Sequence, residues 1–257
     1  MLNKIIKITL TAALLLATTS SADTALEDII DNKKLVLGTS GNMTPMTRSI
    51  NDGKDAIGLD IDLARTMADT MGVELEIKVM PLNKLIEALK DGDVDIVISN
   101  MTITPKRNTQ VAFVGPYLRS GKCLITKQPD LASAQKEELN NANNKMVVIK
   151  GSTSEDFVKH GMPKVEAIAV ESQEEAIAMV RESKVAAMLT DYPICAAVVL
   201  NNPDDHFASV FSNLTFEPIG IAIAPENTHL INWTQNFLYR AENVGLFKAL
   251  SKKWLGR

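Results

Sequence analysis

Short apolar runs alternate along this chain with stretches in which apolar residues recur at helical spacing. Leu35-Val36-Leu37 reads as a strand that stops at Gly38. From Leu59 to Met71, the residues Ile61, Ala64, Ala68 and Met71 recur at steps of three and four, which predicts an amphipathic helix with Gly72 as its left-handed stop. In Val73–Val79 apolar side chains alternate with Glu and Lys, the period of a strand. Leu82–Lys90 predicts a short helix closed by Asp91-Gly92. Val94–Ser99 is nearly all apolar, as expected of a parallel strand covered on both faces.

The theme then repeats. Strands are predicted over Lys122–Thr126, Met146–Ile149, Val165–Val170 and Val185–Leu189, and helices over Leu131–Asn141, Ser154–His160, Glu174–Glu182 and Pro193–Leu200. Phe216–Ala224 reads as a further strand, followed by a helix from about Leu230 and an amphipathic tail to Trp254. Strands separated by helices imply an α/β protein with parallel-rich sheets. Two such halves, of about 100 residues each, form two lobes with a cleft between them. In these sheets ligands gather at the carboxyl ends of strands, which draws attention to the loops after Leu37, Ile98, Ile149 and Leu189.

The N-terminus fixes the compartment. Lys4 and Lys7 precede the apolar run Ile8–Ala17, and Ser20-Ser21-Ala22 offers small residues for cleavage, so residues 1–22 read as a secretory signal peptide and the mature chain as periplasmic. The apolar run is too short to span a bilayer, which takes about 20 residues. A net charge of −4 and 5% aromatic residues argue against a nucleic-acid partner. Cys123 and Cys195 fit either one disulfide, which this compartment permits, or two buried thiols. No zinc-ligand spacing, P-loop or nucleophile elbow occurs, so neither a metal, a cofactor nor a catalytic residue is expected.

Three loops carry candidate chemistry. After Ile98 a turn rich in hydroxyl and amide groups, with Ser99, Asn100 and Thr102, leads to Thr104-Pro105, a natural N-cap and first helical residue. Arg107 follows within the first turn, where its guanidinium can fork onto a carboxylate; the competing reading is an ordinary capped helix with a surface Arg. After Ile149, Gly151 permits an unusual turn and Ser152-x-x-Glu155 is a capping box, a common structural device, here placed with Thr153 at a buried strand's end. After Leu189, Asp191 stands in the turn before Pro193, as an N-cap or as a counter-ion for a ligand ammonium. Together Arg107 and Asp191, from opposite halves, suit a ligand that carries both a carboxylate and an ammonium, since buried charges must be paired.

With these residues in place, the chain resembles family 3 of the bacterial extracellular solute-binding proteins, which bind polar amino acids for ABC transporters. The resemblance runs from about Leu35 to Gly256. Its most specific stretch is DVDIVISNMTITPKRNTQVAFVGPY, ending at Tyr117, supported by Gly58-Leu59-Asp60-Ile61-Asp62-Leu63-Ala64, Leu85-Ile86-Glu87-Ala88-Leu89 and Gly151-Ser152-Thr153. It implies the two-lobe periplasmic binding protein fold (type II). Lobe 1 spans residues 23–119 plus 219–257 and lobe 2 residues 120–218, with hinges at Tyr117–Gly121 and Glu217–Gly220. The family's carboxylate contacts carry over to Asn100, Thr102 and Arg107, its second-lobe contacts to Ser152 and Thr153, and its ammonium-binding acid to Asp191; Ser99, next to Asn100, is a further candidate ligand contact. The positions that clamp the ligand's side chain are Met43 and Leu82, without an aromatic ring. Ser40 stands where binders of basic amino acids carry an acid, which favours a neutral or acidic amino acid or a related carboxylate. The resemblance implies an ABC permease as partner and a monomer. Two alternatives share the scaffold: a cyclohexadienyl-dehydratase-like enzyme, against which stands the absence of an acid just after Asp191, and a ligand-binding partner of a chemoreceptor or sensor.

Overall fold

The computed structural model describes residues 24–134, 136–211 and 215–256; the leader expected at residues 1–22 lies outside them. Ten strands build two large sheets. The first four are β1 (Lys34–Thr39), β2 (Glu74–Val79), β3 (Ile96–Val97) and β4 (Ala112–Ser120). Then follow β5 (Lys122–Thr126), β6 (Lys145–Ile149), β7 (Glu166–Val170), β8 (Ala187–Asp191) and β9 (Ala208–Phe211). The last, β10 (Glu217–Ile223), returns to the first sheet. The strand orders are β2-β1-β3-β10-β4 and β7-β6-β8-β5-β9.

Each sheet has the same plan. Three strands run parallel, as the strand–helix alternation predicts, and two more are added through antiparallel pairings, the inner one running against the other four. The antiparallel strands follow from the chain's two passages between sheets. β4 and β5 are separated only by Gly121, and Ser120 pairs with Glu217 and Leu118 with Ile219 where β4 lies against β10. The segments predicted as hinges therefore pair with each other.

The predicted elements differ from the structure where periodicity alone cannot set lengths. Leu82–Lys90 divides into a 3-10 turn over Leu82–Lys84 and a helix over Leu85–Lys90. Of Val94–Ser99, only Ile96 and Val97 join the ladder, although the Asp95 and Ile98 N–H groups still donate to the Val36 and Gly38 carbonyls of β1. The single helix predicted over Leu131–Asn141 is two short ones, Pro129–Ser133 and Lys136–Leu139. A small three-stranded sheet, Asn42–Met43, Thr47–Ile50 and Asp55–Ile57, has too few residues per strand to show a period, and the pattern misses it.

Four helices bear on the site: α1 (Leu59–Met71), α2 (Pro105–Asn108), α3 (Thr153–Gly161) and α4 (Tyr192–Asn201). Helix α1 starts after Gly58, whose φ of +143° lets the chain pass so close to the Met46 carbonyl that a Cβ would collide with it. That close approach sets Asp60 deep in the first half. Ile61, Ala64 and Met67 of α1 are fully buried beside Leu35, Leu37, Ile96 and Ile98. Among the described residues no helix is long and apolar enough to cross a membrane.

Cys123 on β5 and Cys195 on α4 form a disulfide, which resolves the two readings of the sequence. It ties the start of β5 to the helix that follows β8. Replacing both cysteines by Ala opens a loop of 72 residues and should lower the free energy of unfolding by about 2–4 kcal/mol. The measurement is the urea midpoint; an unchanged midpoint would mean that packing alone holds α4 to β5.

Candidate functional site

The site lies where the carboxyl ends of β3, β6 and β8 face one another. Asn100 follows β3 with φ +46°, a left-handed conformation that Asn tolerates better than most residues. Its N–H donates to Asp60 Oδ2 at 2.6 Å, and the Tyr117 hydroxyl donates to Asp60 Oδ1 at 2.7 Å. Asp60 is fully buried, and desolvation raises its pKa to about 7 even though both hydrogen bonds favour the carboxylate. Burial, then the neighbouring Asp60 carboxyl, pushes the Tyr117 phenol well above its usual range. This strut holds the turn that aims the Asn100 side chain across the cleft, where its Nδ2 donates to Asp191 Oδ2 at 2.8 Å.

Arg107 is positioned from below. Thr104 caps α2 by accepting from the Arg107 N–H, as predicted, and Pro105 opens the helix. The guanidinium then donates from Nη1 to the Thr102 carbonyl (2.8 Å) and from Nη2 to the Gly151 carbonyl (2.9 Å). Burial lowers its pKa, opposed by the charges of Asp191, Asp156 and Glu217. The Gly151 contact requires glycine: its φ is +77°, and a Cβ would meet Asn83 Cβ at 2.7 Å. Ser152 Oγ accepts from the Glu155 N–H, as a capping box requires, but the Glu155 carboxylate reaches the Gly151 N–H instead of that of Ser152. Helix α3 thus opens on the cleft through Ser152, Thr153 and Ser154.

Asp191 ends β8 and precedes α4, yet its side chain makes no capping bond. Its partner is Lys122, the residue directly opposite it on β5. Lys122 Nζ lies 2.7 Å from Asp191 Oδ1, 3.4 Å from Glu217 Oε2 and 2.6 Å from Thr153 Oγ1, with its side chain 1% exposed. The Thr153 hydroxyl donates in turn to Glu217 Oε2 at 3.0 Å and lies 3.3 Å from Thr102 Oγ1.

Of the residues singled out from sequence, Met43, Leu82, Asn100, Thr102, Arg107, Ser152, Thr153 and Asp191 line one cavity of about 20 Å³, room for little more than a water molecule. Leu82 and Arg107 also border a neighbouring opening of about 380 Å³ beside Asn83, Glu87, Lys90 and Gln110. Ser99 is elsewhere: it is fully buried, and its hydroxyl accepts from the Ser40 N–H and donates to Ser40 Oγ, bracing β1 against the turn after β3. Sequence reasoning missed Lys122, Glu217 and Asp60. A lysine at the head of the otherwise apolar Lys122–Thr126 run was the available signal, since a buried cation demands an acid nearby. No cluster suited to a metal ion occurs among the described residues.

Comparison with known proteins adds the relatives. Residues 35–257 match the model for bacterial extracellular solute-binding proteins, family 3. The chain is 31% identical to the arginine-binding extracellular protein ArtP of Bacillus subtilis, covering 86% of each chain. It is 24% identical to cyclohexadienyl dehydratase of Pseudomonas aeruginosa, covering 95% of this chain and 91% of that one. Among solved structures, an ancestral amino acid-binding protein, a precursor of cyclohexadienyl dehydratase, superimposes with a TM-score of 0.82 at 33% identity, over 90% of this chain and 99% of the other.

The Asp60 strut makes stability depend on pH. Its carboxyl keeps a proton up to about pH 7 in the folded state but loses it near 3.8 when unfolded. Between those values the native state binds the extra proton, so stability falls as pH rises, by up to about 1.4 kcal/mol per pH unit. Asp60→Asn retains an acceptor for the Asn100 N–H and removes the titration. Its unfolding free energy should vary less between pH 4 and 7 than that of the wild type; parallel profiles in denaturant titrations would remove Asp60 as the cause.

Proposed function

The chain belongs to family 3 of the bacterial extracellular solute-binding proteins and has their type II two-lobe fold, and from that premise we propose that it is an exported binding protein that captures a small carboxylate of amino-acid size and presents it to an ABC permease. Residues 23–119 and 219–257 form one lobe and residues 120–218 the other. The paired segments of β4 and β10 serve as the hinge. The ligand carboxylate lies against Arg107, flanked by Asn100, Thr102 and the first turn of α3, with Met43 and Leu82 against its apolar part. The protein works as a monomer, leaving both lobes free for the permease.

The observation that carries this reading is the position of Arg107. It stems from lobe 1, yet its guanidinium donates to a lobe 2 carbonyl while also lining the cavity. Its other N–H groups remain for an anion. A ligand held there contacts both lobes and therefore favours the closed arrangement over the open one. The names of the relatives, arginine-binding and amino acid-binding, support a ligand of this size.

The dehydratase among the relatives makes catalysis the rival. Elimination from a ring acid needs a carboxylic acid in the cleft that can donate a proton. Asp191, which lines the cavity, and Glu217 instead face the Lys122 ammonium. The residues after Asp191 are Tyr192, Pro193, Ile194 and Cys195, none of them acidic. This favours binding over turnover.

A thermal-shift screen of the mature protein against amino acids and small carboxylates tests the proposal. A ligand at about 100 times its dissociation constant adds about 2.7 kcal/mol of stability. Arg107→Ala should remove about 2–5 kcal/mol of the binding energy for whichever carboxylate is found, measured by titration calorimetry. A wild type stabilised by none of them, or a variant that binds equally well, would refute this assignment.

A further inference from the structure

We infer that the site selects a carboxylate that lacks an α-ammonium group, such as a 2-hydroxy or 2-oxo acid, because Lys122 supplies that cation from within the protein. The inference rests on the carboxylate-binding role of Arg107 and narrows its ligand class.

The acids that an incoming ammonium would need already face a cation. Asp191 Oδ1 holds Lys122 Nζ at 2.7 Å and Oδ2 holds Asn100 Nδ2 at 2.8 Å. Glu217 Oε2 accepts from Thr153 and faces the same ammonium. A second cation beside Lys122 would be repelled at short range in a buried site, where charges are weakly screened. Arg107, by contrast, faces the cavity with donors to spare. Arg107 gives one N–H from Nη1 and one from Nη2 to carbonyls, and keeps the rest.

The Lys122–Asp191 pair does not depend on closure. The two residues are register partners on adjacent strands of one sheet, β5 and β8, and the disulfide from Cys123 to Cys195 anchors the segment after each. Separating the lobes would break Asn100–Asp191 and Arg107–Gly151 but leave Lys122 on Asp191. A further sign is Asn100 Oδ1, buried and without a hydrogen-bond partner. With its amide nitrogen turned to a carboxylate, this oxygen is an acceptor beside the cavity. A neutral hydroxyl on the carbon next to the ligand carboxylate would satisfy it without adding charge, which favours a 2-hydroxy acid over a 2-oxo acid, whose carbonyl has no hydrogen to donate.

The test compares matched probes by titration calorimetry on the wild type: L-alanine with lactate and pyruvate, L-glutamate with 2-hydroxyglutarate and 2-oxoglutarate, and L-leucine with its 2-hydroxy and 2-oxo counterparts. At least one deaminated acid should bind tenfold or more tighter than its amino acid. An amino acid that binds as tightly as its deaminated partners, or more so, overturns this inference and leaves the carboxylate site standing. Binding of no probe in any series overturns both. Lys122→Met gives a second reading, because it leaves Asp191 and Glu217 without their cation. The variant should lose thermal stability and regain part of it with the amino acid of a series that the wild type takes only in deaminated form. A Lys122→Met protein whose preference among the probes matches the wild type would also overturn the inference.

Discussion

A buried lysine between two buried carboxylates is the constraint around which the cleft is arranged. Lys122, Asp191 and Glu217 are each less than 8% exposed, and charges at that depth are tolerated only when each has a partner and good hydrogen bonds. The three come from the head of β5, the tail of β8 and the head of β10. Misplacing any of these ends would strand a charge, so the chain's two passages between the halves are held in a narrow range of positions. Thr153 completes the arrangement by accepting from Lys122 and donating to Glu217, which ties the first turn of α3 to the same point.

On the opposite wall the logic is similar but the chemistry differs. Asp60 is buried among apolar residues with no cation beside it, and its acceptors are met by a backbone N–H and a phenol. The result is a carboxyl whose proton is retained far longer than usual. It does not line the cavity. It fixes Asn100 in a left-handed turn, and Asn100 then reaches Asp191. One wall thus carries an acid neutralised in place by Lys122, and the other a rigid amide that donates to that acid.

Much of this was legible in the sequence, for identifiable reasons. Helix α1, its Gly72 stop, β5 and the Thr104-Pro105 start of α2 all appear as read, because each is set by local periodicity or a capping residue. Eight of the nine residues singled out for the site line one cavity, since they fall in loops at the ends of buried strands, where the fold class brings them together. What was hidden depends on pairing across the chain. Lys122 and Asp191 are 69 residues apart, and nothing local to either indicates that they face each other. Ser99 shows the opposite case: its place in a polar turn suggested a ligand contact, but its hydroxyl bonds to Ser40, the residue just past the end of β1.

The Lys122 pair also alters what closing the lobes must accomplish. If Asp191 awaited a ligand cation, the open protein would carry an unpaired acid at the cleft edge, and ligand binding would supply the charge that makes closure favourable. Here that charge is already neutralised within one sheet. The direct contacts between the halves include Asn100 to Asp191, Arg107 to the Gly151 carbonyl, Thr102 to Thr153, Asn42 to the Glu171 carbonyl and Lys106 to Asp156. Each hydrogen bond among them is worth about 0.5–1.5 kcal/mol net, somewhat more where a charge takes part. Asn83 and Gly151, on opposite sides of the cleft, approach so closely that no side chain would fit at Gly151, so the glycine itself is part of the contact between the halves.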